Sequence, residues 1–281
     1  MVIGLLVVYG LCLGSFINAL LWRVRVQADT KLKKKLTSSK DNPVDLSILK
    51  GRSVCPNCKH TLHAIDLVPI LSWLSLGGKC RYCKKPISIQ YPIVEASTAF
   101  LIVFSYIEWP IKLKGAQIAV FILWELVIIG LVALAVYDIK WKLLPNRILY
   151  PTTVIALAMA IMVVVSSSTP LKALLNVVGA VLIGGGIFYI LFQVSSGRWI
   201  GGGDVKLGVV LGLIVGTAEK SLLFIFLGSI LGSVISVPLL ITGRLKRTSS
   251  IPFGPLLIVG GYITVLFGTN IINWYTHLFT R

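Results

Sequence analysis

The sequence predicts an all-α polytopic membrane protein of about eight transmembrane helices, with a small cysteine-bearing insert between the first and second. Three observations predict it. Hydrophobic residues make up 56% of the 281 positions and the mean hydropathy is +0.89. Only 13% of residues are charged, against about a quarter in soluble globular proteins. Apolar runs close to the roughly 20 residues of one bilayer crossing recur almost to the end of the chain.

The apolar runs fall at about 2–22, 91–109, 117–137, 148–166, 172–194, 205–218, 221–242 and 254–274. The sixth is short, which suits a tilted or partial crossing. The start does not read as a cleaved signal peptide, because its charges, Arg23 and Arg25, follow the apolar stretch instead of preceding it. With the N-terminus outside, 22 of the 27 Lys and Arg residues fall on the insert side and 5 on the other. That is the positive-inside pattern, and the insert carries most of it. The net charge of +17 therefore reports topology and contact with membrane lipids, and no nucleic-acid partner is expected. The division expected is a first transmembrane helix (1–22), a cytoplasmic insert (23–90) and a seven-helix core (91–281). Within the insert, residues 31–50 read as a mobile linker. Its basic run Lys33-Lys34-Lys35 belongs near anionic headgroups.

The helices carry small residues at packing intervals. Gly208, Gly212 and Gly216 recur every four residues, as do Gly228 and Gly232. This spacing lets helix backbones approach closely.

Four of the five cysteines form two C-x-x-C pairs, Cys55/Cys58 and Cys80/Cys83, with 21 residues between them. Such knuckles place four thiolates around one Zn²⁺ and leave no position open for water. A reducing cytosol disfavours the disulfide alternative. The metal is expected to hold the insert together, with His60 and His63 outside its shell. Cys12, in the first apolar run, reads as a small buried hydrophobe.

Carboxylates at membrane depth are costly and mark function by default. Asp138 ends one apolar run and Asp204 begins another, after Gly201-Gly202-Gly203. In the eight-helix topology both stand at cytoplasmic helix ends, so facing helices can bring them together. Two close carboxylates share a proton. The ionised one can then activate water and the protonated one can donate to a scissile carbonyl. Gly201 and Gly203 remove side chains where an extended substrate would approach, and Lys206 stands beside it, as an interfacial anchor or as a charge favouring ionisation. The alternative is purely structural: Asp204 stands where an N-cap would stand. Asp138, however, sits at a helix C-terminus, where the macrodipole disfavours an acid.

These residues resemble a known family, the type IV prepilin peptidases, across nearly the full length. The resemblance is carried by Gly14-Ser15-Phe16-Ile17-Asn18 with Arg23, by Cys55-Pro56-x-Cys58, and by Asp66-x-x-Pro69 with Ser72-Trp73-Leu74. Cys80-Arg81-x-Cys83 and Tyr91-Pro92-x-x-Glu95 follow, then Asp138 through Pro145-Asn146, Gly201-x-Gly203-Asp204-x-Lys206-Leu207 and Pro252-Phe253-Gly254-Pro255. The resemblance implies an aspartyl endopeptidase of the GxGD type in the bacterial cytoplasmic membrane, with Asp138 and Asp204 catalytic. Its partners would be prepilins or pseudopilins, cut after a glycine on the cytoplasmic side. It also implies N-methylation of the new N-terminus from S-adenosylmethionine, a role associated with the insert, although residues 23–90 carry no G-x-G-x-x-G pattern. An ion-coupled transporter with a structural zinc domain, or a non-enzymatic assembly scaffold, are the competing readings. No convincing internal repeat of the kind many transporters show is found.

Overall fold

A computed structural model describes residues 1–30, 34, 45–48, 51–243 and 251–279. Most of the linker expected over 31–50, including Lys33 and Lys35, lies outside these residues. Among the described residues there are no strands; besides a 3₁₀ turn over Ala64–Leu67, the named α-helices are α1 (Val2–Ala28), α2 (Leu71–Ser75), α3 (Gln90–Ile107), α4 (Ala116–Trp141), α5 (Asn146–Val165), α6 (Pro170–Ser195), α7 (Gly202–Val215), α8 (Ala218–Ile241) and α9 (Gly254–Phe279). Every apolar run of the sequence forms a helix. Six of them, α1, α4, α5, α6, α8 and α9, are long and apolar enough to cross a bilayer. The two outside that group are α3, with Glu95 inside its 18 residues, and α7, with 14 residues.

The chain divides into two compact units, Met1–Ile107 and Glu108–Arg281. The division falls after α3, so α1 and α3 share a unit with the insert. In the first unit α1 packs along α3. A Cβ on Gly10 would lie 2.5 Å from Ala99 Cα, and one on Gly14 2.5 Å from Glu95 Cα. Only glycine permits backbones this close. Asn18 Nδ2 then donates to the Tyr91 carbonyl (3.1 Å). The glycine and asparagine of the first motif thus fix the pairing of two helices. α1 also runs past residue 22, carrying Arg23 and Arg25 in its last turns. The buried Arg23 guanidinium donates to the carbonyls of Ser47, Ile48 and Gly51, which ties the chain just before the first cysteine pair to the helix end.

In the second unit α7 is enclosed. It packs against α5, α6, α8 and α9, and every residue from Val210 to Val215 is buried. An apolar helix surrounded by protein need not match the bilayer thickness, which explains its shortness. Gly208 and Gly212 allow the contact with α6, facing the carbonyls of Gly184 and Ala180. Gly216 serves differently: with φ +75° it is the left-handed residue that ends α7. Gly228 and Gly232 face Leu257 and Leu256 of α9.

Candidate active site and metal centre

Asp138 lies in the last turn and a half of α4, one turn before Lys142, whose left-handed backbone (φ 52°) ends the helix. Lys142 N–H closes that end on the Asp138 carbonyl (2.7 Å). The carboxylate is buried, with 6% of the residue exposed. Its partner comes from far along the chain: the Gly254 backbone N–H donates to it. Gly254 opens α9, so the positive end of α9 faces the acid. A charge disfavoured by its own helix is thereby favoured by another. The sequence offered Gly254 only as part of a late motif and no role for it. A Cβ there would lie 2.7 Å from Asp138 Oδ2 and 3.6 Å from Leu207 Cδ2 of α7.

Asp204 is half-buried in the first turn of α7. It occupies the third helical position, not the N-cap position expected for it; Gly201 is the N-cap. The Gly201 N–H donates to Asp204 Oδ2 (3.3 Å), the acidic arm of a capping box. Asp138 is near enough for its charge to act on the Asp204 carboxylate. The two acids, 66 positions apart in the chain, thus lie in one unit within electrostatic range of each other.

The GxGD glycines divide by surroundings. A Cβ on Gly203 would meet Leu144 at 3.0 Å, whereas one on Gly201 would meet nothing nearer than Asp204 Oδ2, at 3.5 Å. Gly203 thus seats α7 against the loop between α4 and α5, and Gly201 is exposed. Lys206 Nζ donates to Asn146 Oδ1 (2.9 Å) and approaches the Tyr150 hydroxyl at 3.5 Å, with Nζ 5.3 Å from the centre of the Tyr150 ring. It anchors the segment that carries Asp204 to Asn146, at the end of the segment that carries Asp138. Glu125, also buried within α4, has no partner for either oxygen among the described residues.

The insert folds by local rules. Each C-x-x-C turn has the same backbone: Lys59 N–H returns to the Cys55 carbonyl and Lys84 N–H to the Cys80 carbonyl (2.9 and 3.0 Å). Both lysines have φ 59°, and an isolated antiparallel bridge closes each turn, Val54 with Thr61 and Lys79 with Pro86. Amides of Asn57 and Cys58 point at the Cys55 sulfur, and those of Tyr82 and Cys83 at the Cys80 sulfur. All four Sγ atoms lie within 4.8 Å of one another, and Cys55 and Cys83 are 3.9 Å apart. A tetrahedral ion with bonds of about 2.3 Å holds its sulfurs about 3.8 Å apart, so the four thiols fit a metal ion. Without metal, burial pushes the Cys55 thiol up to about 12. Burial also opposes ionisation of Cys80, but the amides and neighbouring thiols outweigh it and bring that group down to about 7. The ring of His60 packs on Tyr82 (3.7 Å between centres), and the metal-competent group comprises the four cysteines alone.

Asp66 joins the knuckles. It accepts from Arg81 Nε (2.6 Å), Tyr82 Oη (3.1 Å) and the His63 amide (3.2 Å). Burial works against its charge, but these donors hold the carboxyl below its usual range. Glu95 does comparable work at the base of the insert. Its carboxylate accepts from the Ile70 amide (2.8 Å) and from the Ser15 hydroxyl.

Comparison with known proteins places this arrangement. Residues 8–109 match the bacterial peptidase A24 N-terminal domain and residues 125–237 the type IV leader peptidase family. The prepilin leader peptidase/N-methyltransferase of Bacillus subtilis is 33% identical over 275 residues, covering 97% of each chain. The chain belongs to the type IV leader peptidase family. The type 4 prepilin-like proteins leader peptide-processing enzyme of Escherichia coli is also 33% identical, over 91% of this chain and 90% of its own. The prepilin leader peptidase/N-methyltransferase of Pseudomonas aeruginosa is 29% identical over 96% and 91%. No solved structure matches. Membership of this leader peptidase family, with six apolar helices, makes the chain a multi-pass membrane peptidase. The matched segment 125–237 contains both Asp138 and Asp204; Gly254 lies beyond it.

Proposed function

We propose that this chain is an intramembrane aspartyl endopeptidase that removes the leader of prepilins or pseudopilins after a glycine at the cytoplasmic face, using Asp138 and Asp204. The observation that carries the reading is the neighbouring pair of acids, one of them served by the Gly254 amide at a helix N-terminus. That amide and the positive end of α9 favour charge on Asp138, which becomes the base. Asp138 takes a proton from water as the water oxygen bonds to the scissile carbonyl carbon. Asp204, protonated, gives its proton to the carbonyl oxygen. The C–N bond of the resulting diol then breaks. The leaving amine takes the proton from Asp138, and a diol hydroxyl returns one to Asp204, so both acids end as they began. Gly201 provides the side-chain-free approach for the extended substrate, with Gly203 and Lys206 framing it. Asn18, Arg23 and Glu95 hold structure.

The metal is assigned as Zn²⁺ on Cys55, Cys58, Cys80 and Cys83, closed and structural. The Lys and Arg distribution supports an outside N-terminus and a cytoplasmic insert in the cytoplasmic membrane. The names of the relatives support N-methylation as a second activity; S-adenosylmethionine is its proposed methyl donor, and no residue here is assigned to that cofactor.

The test is cleavage, in lipid, of a peptide with a basic leader, a glycine and an apolar helix. Mass spectrometry should show a single cut after the glycine, and, with S-adenosylmethionine present, the mass of one added methyl group. Absence of any cut in an authentic prepilin would overturn the peptidase reading. A cut without the methyl group would remove only the second activity.

A further inference from the structure

The middle of the insert is bonded through Glu95 to the two helices of its unit, α1 and α3. Glu95 fixes the depth of its central turn. Glu95 Cα packs against Gly14 and its carboxylate bonds to Ser15, both within the apolar run of α1. Counted from Trp22, the last residue before the first charge, Ser15 lies about 10 Å along the helix. Counted from Asn18, which Gln90 at the start of α3 approaches at 3.5 Å, it lies about 5 Å along. The Ile70 amide, 2.8 Å from Glu95 Oε2, is at this level. So is the short non-helical backbone of Val68 to Ile70.

That backbone has the features such a level demands. Ile70 is a β-branched residue at φ 59°, a conformation that persists only when its surroundings impose it. A non-helical amide at membrane depth needs a protein partner, and Glu95 supplies one. Trp73 Nε1 donates to the Ile87 carbonyl (3.2 Å), which pins α2 beside the start of α3. The side chains facing outward are apolar: Val68, Leu71 and Leu74 are 39, 65 and 59% exposed. The chain continues outward through Ile89 into Ile93, Phe100 and Ile107, exposed residues seven apart on one face of α3. A stripe at that spacing is the surface a membrane helix turns to lipid. Exposed Lys79, Lys84 and Lys85 follow α2, where anionic headgroups would meet them.

We propose that residues 67–74 are an interfacial membrane element, with Val68, Leu71 and Leu74 seated among lipid acyl chains just below the headgroups. An element of this kind buries its apolar face to a depth of about 5–10 Å, the depth reached through Glu95. The insert is then anchored in the bilayer at its centre as well as tethered at its ends, and the metal knuckles are held at the membrane surface.

The full chain in nanodiscs of phosphatidylcholine and phosphatidylglycerol tests this. An environment-sensitive fluorescent amino acid replaces Leu71 or Leu74, with Arg52 on the first knuckle as control. Lipids carrying a nitroxide high on the acyl chain should quench positions 71 and 74 about threefold or more beyond position 52, as interfacial burial requires. Equal quenching at all three positions overturns the proposal. It does so whether the emission at 71 and 74 is that of water or, blue-shifted, that of a protein surface covering them. If the labelled chains do not fold, diazirine-bearing lipids in nanodiscs with the unaltered chain decide. Labelling concentrated in 67–74 supports the element; labelling confined to the long apolar helices α1, α4, α5, α6, α8 and α9 and to α3 overturns it.

Discussion

The two chemical centres of this molecule are built in opposite ways. The metal centre is made twice from the same local recipe: a C-x-x-C turn, a lysine at φ 59° and a closing bridge. Its four cysteines lie within 29 positions of chain. The acid pair has no local recipe. Asp138 comes from the end of α4, Asp204 from the start of α7, and the amide that serves Asp138 from the start of α9. A local centre tolerates change elsewhere in the fold, whereas an assembled one depends on helix packing at every contact. Variants of the two centres should therefore fail in different ways.

The largest effect expected is on the acids. Asp138→Asn and Asp204→Asn should each lower cleavage by about a thousandfold or more, as loss of a general acid or base does. Helical content and metal content should stay unchanged, by circular dichroism and elemental analysis. Cys55→Ser should do the reverse at the other centre, removing the metal while the helices persist. The metal-free Cys55 thiol at about 12 is protonated at neutral pH, so binding must release its proton. Apparent metal affinity should fall by about tenfold or more as pH is lowered from 8 to 6, measured by competition with a chelator.

Gly254→Ala sharpens the comparison. Its new methyl would sit 2.7 Å from Asp138 Oδ2, so helix or carboxylate must shift. Cleavage should drop by about tenfold to a hundredfold, because small displacements of a catalytic group are expensive, and the metal centre should not respond. The smallest effect concerns Asp66. Its folded carboxyl lies below the usual 3.8, so its contribution to the insert is full above that value and is lost as pH falls through the folded value. Asp66→Asn should lower the thermal stability of the insert modestly at pH 7, and the difference from wild type should vanish in acid. Hydrogen exchange of the knuckle amides would read both.

What was legible in the sequence follows this division. The cysteine spacing announced the four-thiol cluster, because both knuckles are short-range structures. Each apolar run gave a helix, because hydropathy reports each helix separately, and six of these are long and apolar enough to cross a bilayer. Asp138 and Asp204 were legible as costly charges at helix ends, and their topology put them on one side. The partners of these acids were not legible. Nothing in residues 250–256 says that the Gly254 amide meets Asp138, since only the packing of α9 on α4 and α7 brings it there. Gly203 read as an opening for substrate, yet Leu144 fills that space. The end of α1 was drawn at residue 22, but Arg23 continues the helix because carbonyls of the insert satisfy its charge.

The central claim is that Asp138 and Asp204 act as one unit, and the measurement closest to it is single-turnover cleavage by Asp138→Asn, Asp204→Asn and the double variant. Residues that share one step lose nearly everything when either is removed. Both single variants should be all but inactive, and the double variant should be no more than about tenfold slower than the slower single. Near-wild-type cleavage by either single variant would contradict the account.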